Sequence, residues 1–216
     1  MLLDVDDCQL VLVDYQERLM PAVHQGAEVL ARGVFLGQMA QLMGVPVWGT
    51  EQNPAKLGGN AAAIRGLCRS TFPKMHFDAC ESGLLDALRP VPAPSPARAD
   101  SRAPQRGGNA RSLPKHLQRP TSPPPAPEPA LGNTVVLAGV EAHVCLLQTA
   151  LGLLEQEFDV WVVTDACSSR RERDRDAAFD RLAGNGVELV SSEMVAFEWL
   201  RRADHPLFRQ ALPLIK

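Results

Sequence analysis

Apolar positions along the chain fall into two rhythms. Residues 9–13 and 134–139 are continuous runs rich in Val and Leu, as expected for strands buried on both faces of a parallel sheet. Shorter runs at 45–48, 158–163 and 187–190 predict further strands. A segment at 72–75 predicts another, although Pro73 weakens its pairing. Between these runs the apolar spacing changes to three and four. Residues 24–43 predict a helix through Val29, Leu30, Val34, Leu36 and Met39, closed by Gly44. Residues 60–67 predict a short helix, and 82–88 another, capped by Ser82. Cys145, Leu146, Thr149 and Leu153 place a helix directly after the 134–139 strand. Residues 171–183 read as a charged amphipathic helix with Ala178, Phe179 and Leu182 inward. After Ser191 or Ser192 a further helix packs through Met194, Phe197, Trp199 and Leu200, and a last short one follows Pro206.

Strands alternating with helices predict a three-layer α/β/α fold with a six-stranded parallel sheet. Its expected order is the Rossmann-like 3-2-1-4-5-6. The dinucleotide fingerprint GxGxxG and the phosphate loop GxxxxGK[ST] are both absent, which removes the two commonest nucleotide readings of such a sheet.

Composition interrupts this pattern once. Residues 90–130 hold 12 of the 18 prolines, no aromatic residue and a charge of +4, leaving −7 on the rest of the chain. Such a tract offers too little apolar surface to offset its ordering entropy. The expected organisation is one domain over 1–216, interrupted by a disordered Pro-rich insertion at about 90–131. The net charge of −3 gives no electrostatic case for nucleic acid. Asp4, Asp6 and Asp7 precede the first apolar run, which is too short to span a bilayer. The five cysteines show no CxxC spacing, so a reducing, cytoplasmic setting is expected.

Ligands of open parallel sheets bind beyond the carboxyl ends of the strands, where strand order reverses. Asp14 ends the first strand, Lys74 the third, and Cys145 opens the helix after the fourth. Each has a plain alternative: Asp14 as a loop or cap residue, Lys74 as a solvated charge, Cys145 as an inert core thiol. A first-turn helical position favours a thiolate and predicts a lowered thiol pKa.

The segments Leu-Val-Asp14-Tyr-Gln, Thr50-Glu51-Gln52, Lys74, Gly139-Val140-Glu141-Ala142-His143-Val144-Cys145 and Val163-Thr164-Asp165-Ala166-Cys167-Ser168-Ser169-Arg170 resemble the isochorismatase-like cysteine hydrolases. The resemblance covers nearly the whole chain outside 90–130. It implies an Asp14-Lys74-Cys145 triad in which Asp14 is the base, Lys74 its partner and Cys145 the nucleophile. It also implies a cis peptide at Val140–Glu141, with the backbone N–H groups of Glu141 and Cys145 as the oxyanion hole. Nicotinamidases of this family bind a metal through Asp-x-His after the second strand. Here that place reads Thr50-Glu51-Gln52-Asn53, and the five histidines lack ligand spacing, so neither metal nor cofactor is expected. Members that hydrolyse isochorismate lack the cysteine, and Cys145 therefore argues against that substrate.

Gln52 and His143 are further candidates for substrate binding, against plain readings as a loop-closing residue and a solvated helix-start histidine. Residues 168–170 are expected to cap the following helix, and Asp165 and Arg170 to form a structural pair. The leading expectation is a hydrolase of a small non-peptide C–N bond, working through a Cys145 thioester. The alternative is a non-catalytic binding or assembly protein that keeps the fold. A small-molecule substrate and a homo-oligomer are expected, with apolar surface around Trp199 and Leu200 available for self-association. Neither nucleic acid nor membrane is expected as a partner.

Overall fold

β1 (Cys8–Val13) and β4 (Thr134–Val140) lie side by side at the centre of a six-stranded sheet of order β3-β2-β1-β4-β5-β6. The structure is a computed structural model that describes residues 2–89 and 132–215. The remaining strands are β2 (Val47–Gln52), β3 (Ser70–Lys74), β5 (Asp159–Ser168) and β6 (Glu188–Val190). All strand pairs are parallel, as the apolar runs require: every residue of β1 and β4 is buried. Pro73 is tolerated because β3 is an edge strand.

The helices are α1 (Gly26–Met43), α2 (Pro54–Leu57), α3 (Ala62–Arg65), α4 (Leu84–Leu88), α5 (Leu147–Glu155), α6 (Glu172–Gly184), α7 (Ser192–Leu200) and α8 (Phe208–Ile215). α1 packs with α7 and α8, and α5 packs with α6. Among the described residues, no helix is long and apolar enough to cross a membrane. Gly44 ends α1 at φ 80°, and its N–H reaches Ala40 O and Gln41 O, the left-handed stop that glycine favours. Ser191 caps α7 by accepting from Met194 N.

Several expectations change. Ser82 closes a 3-10 turn, and Gly83 at φ 83° precedes α4. β5 runs to Ser168, past the expected end at 163, because its pairing with β4 shifts between Leu137 and Gly139 and then resumes at Gly139–Cys167. The polar pair Thr164 and Asp165 is satisfied laterally, through Val190 O and through Ser192 N and Oγ. Residues 168–170 therefore do not cap α6; Arg171 stands before that helix without a side-chain cap bond. Asp165 faces Arg32 and Ser192, whereas Arg170 pairs with Glu141. In α7 the buried face is Val195, Ala196, Trp199 and Leu200, while Met194 and Phe197 are exposed. Apolar surface for association is thus Met194 and Phe197, not Trp199 and Leu200. The Pro-rich tract at about 90–131 lies outside the described residues.

Candidate active site

Asp14 is the residue at which β1 turns away from the sheet. Its φ of 54° is left-handed, a conformation Asp tolerates better than most side chains. The carboxylate is fully buried and held from two neighbouring strands. Thr50 of β2 donates to Oδ1 at 2.7 Å, and Lys74, the last residue of β3, brings Nζ to 2.8 Å from Oδ2. A buried charge needs such pairing.

Lys74 is itself buried; its ammonium donates to Gln52 Oε1 at 2.7 Å, Phe77 O at 3.1 Å and His76 O at 3.5 Å, and stands 2.8 Å from Asp14 Oδ2. The three carbonyl acceptors match its three N–H groups, and Asp14 Oδ2 keeps the ion-pair contact without a hydrogen-bond donor. Gln52 is fixed at both ends of its amide. Nε2 donates to Met75 O at 2.9 Å, which turns Oε1 toward Lys74 and toward Cys145 Sγ, 3.9 Å away. Its main chain is gripped by Gln16, whose amide accepts from Gln52 N and donates to Gln52 O and Gly58 O. Gln16 thus replaces ladder bonds where β1 and β2 diverge.

Cys145 arrives from the other side of the crossover point. β4 approaches β1 so closely at Gly139 (φ 148°) that a Cβ there would lie 2.2 Å from Val13 O, so no side chain fits. The Val140–Glu141 peptide is cis. The chain then enters a π-helical turn, Ala142–Leu146, which leads into α5. Cys145 lies in this wide turn rather than in a regular first α-turn. The Glu141 carboxylate holds the next loop: Oε2 accepts from both N and Nε of Arg170. His143 Nδ1 lies 2.9 Å from Ser169 Oγ.

Asp14, Lys74, Gln52 and Cys145 therefore converge, while His143 turns to Ser169. The expected lowering of the Cys145 thiol is reversed. Burial, and then the Asp14 charge, push it up to about 12 against the opposing pull of Lys74. The residue is only 5% exposed, and desolvation of a thiolate outweighs the helix-start effect. Sequence reasoning did not find Thr50 or Gln16. The available signal was a polar residue inside each of two otherwise buried segments, at β2 and just after β1. Among the described residues, no three His, Cys, Asp or Glu side chains gather as a metal ion would need; Glu51 Oε1 instead accepts from Asn60 N.

The isochorismatase domain family matches residues 130–194. Isochorismatase domain-containing protein 1 of Danio rerio is 31% identical over 94% of this chain, and the chain spans 59% of that protein's length. Isochorismatase domain-containing protein 2 of Pongo abelii is 30% identical over 96% of this chain and 82% of its own length. The solved structure of the MAR1 ribonuclease from Caenorhabditis elegans superposes with a TM-score of 0.77 at 26% identity, covering 100% of this chain and 92% of that one. Similarity extending over both partners' lengths, on a sheet of this order, gives the conclusion that the chain belongs to the isochorismatase-like hydrolase family.

Proposed function

We propose that the protein is a metal-independent cysteine hydrolase that cleaves a small, non-peptide amide-like C–N bond through a Cys145 thioester. The observation that carries this reading is the convergence of a buried Asp14–Lys74 ion pair with the Cys145 thiol, joined by Gln52. The raised thiol fits a nucleophile that loses its proton only as it attacks. Sγ bonds to the amide carbon while Asp14 takes the thiol proton, and Lys74 offsets the negative charge that moves between them. The backbone N–H groups of Glu141 and Cys145 receive the oxyanion. Collapse expels the amine, which takes the proton from Asp14, and leaves the thioester. Water, deprotonated by Asp14, then releases the acid, and the proton returns to Sγ. The test screens a library of small carboxamides against wild type and Cys145→Ala, reading ammonia or amine release and the covalent intermediate by intact mass. Turnover that survives in Cys145→Ala removes the nucleophile assignment.

A second reading, a binding or assembly protein on the same fold, is favoured by the low exposure of Cys145. It requires no covalent intermediate with any amide. Self-association has a surface to use. An open cavity of about 480 Å³ lined by Leu2, Met194 and Phe197, with Glu193, Glu198 and Arg201 around it, contains no triad residue. Light scattering across a wide concentration range decides whether the protein is a homo-oligomer.

A further inference from the structure

The loop that leaves β3 exposes two large apolar side chains, Met75 at 69% and Phe77 at 48%. Exposure of single apolar residues is ordinary, but this loop is tied to the site through its main chain. Met75 O accepts from Gln52 Nε2 at 2.9 Å and Phe77 O accepts from Lys74 Nζ at 3.1 Å. Each apolar residue is thus one hydrogen bond from a side chain that touches Asp14 or Cys145. These carbonyl bonds fix the main chain of the loop beside Lys74 and Gln52.

The polar ends of Lys74 and Gln52 are already engaged. The three N–H groups of Lys74 have acceptors in Gln52 Oε1, His76 O and Phe77 O, and both ends of the Gln52 amide are occupied. The Arg170 guanidinium meets Glu141 through Nε alone, and its side chain is 61% exposed. A substituent beside the reacting carbon therefore finds no spare donor on Lys74 or Gln52, and the exposed side chains of Met75 and Phe77 remain to offer it an apolar contact.

Resting on the reading of Cys145 as nucleophile, we infer that Met75 and Phe77 form an apolar rim that selects amides bearing an apolar substituent. The test uses chloroacetamide, N-butylchloroacetamide and N-benzylchloroacetamide. In each, a thiol sulfur displaces chloride, so the attached group reports on the rim without a known substrate. Rates of labelling at Cys145 are read by intact mass and peptide mapping, and each is divided by the rate with glutathione. The expected result is a benzyl-over-parent preference of about tenfold, the equivalent of partly burying one ring. Met75→Ser and Phe77→Ser, both surface changes, should each lower that preference severalfold. Met194→Ser, an equally exposed apolar residue on α7, should not change it. Labelling at Cys145 with no preference over glutathione, or a preference unchanged in both rim variants, overturns the rim and leaves the nucleophile standing. Absence of labelling at Cys145, or equal labelling of Cys145→Ser, overturns the nucleophile reading and the rim with it.

Discussion

Thr50 Oγ1 donates to Asp14 Oδ1 at 2.7 Å, from the strand next to the one that Asp14 ends. Both residues are fully buried, so no water stands ready to replace this bond. Thr50→Val keeps the shape and leaves a buried carboxylate oxygen without its donor. The expected cost is about 1–3 kcal/mol. Thr50→Ser retains the hydroxyl and should recover most of it. Urea unfolding of the three proteins checks this, and equal midpoints for Val and Ser variants would show that the bond is immaterial.

Removing either member of the Asp14–Lys74 pair leaves an uncompensated buried charge. Lys74→Met should therefore destabilise the fold by about 3–5 kcal/mol, besides lowering turnover by orders of magnitude. The double variant Asp14→Asn/Lys74→Met carries no such charge and should be more stable than Lys74→Met alone. Full additivity of the two single changes in a denaturation cycle would contradict the pairing.

The buried thiols give the stability a pH dependence with a definite sign. Cys145 is pushed up to about 12, first by burial and then by Asp14, and burial pushes Cys8 to about 12 as well. An unfolded thiol ionises near about 8.5. Below that pH both states are protonated and the full stability is present. Between there and about 12 the unfolded state loses the proton first, so stability falls as pH rises, by up to ~1.4 kcal/mol per unit for each such thiol. Cys145→Ser removes one thiol from the balance. Its unfolding free energy should decline less steeply than wild type above pH 9, and parallel curves would reject the raised thiol.

The chain's own pattern carried the parallel sheet and the three strand-end residues, because buried strands and their termini are local signals, while the strand order was taken from the commonest arrangement of such sheets. Asp14, Lys74 and Cys145 stand out at the points where apolar runs stop. The rest depended on contacts distant in sequence. Nothing near Thr50 announces that its hydroxyl meets a carboxylate 36 positions earlier, and Arg170 finds Glu141, not Asp165, only because β5 continues to Ser168. The direction of the Cys145 shift also needed the fold. A helix-start position and a desolvated pocket push a thiol in opposite directions, and only burial decides between them. The exposure of Met194 and Phe197 follows from the rotation of α7, which a run of nine mostly apolar residues left undetermined.

The last prediction concerns the tract that divides the chain. Gln9, buried in β1, donates through one nitrogen to Leu88 O at 3.0 Å and to Gly132 O at 2.8 Å, and its Oε1 accepts from Trp48 Nε1. Arg89 adds a bond to Asn133 Oδ1. The two ends of the described chain around residues 90–131 are therefore neighbours, gripped by a single side chain. A few residues suffice to join ends that close, as in ordinary connections of α/β domains. Replacing 91–130 with a short Gly/Ser loop should leave the fold cooperative and the Cys145 chemistry intact. Loop-closure entropy changes slowly with length, so shortening should raise stability by about 1–2 kcal/mol at most. Gln9→Leu in the same protein removes the donor for both carbonyls and the acceptor for Trp48, and should lower stability by more than the shorter loop adds. Calorimetry of the loop-replaced protein, with and without Gln9→Leu, checks both statements. Loss of the cooperative transition on loop replacement alone would show that the tract supports the domain and that proximity of its ends is not enough.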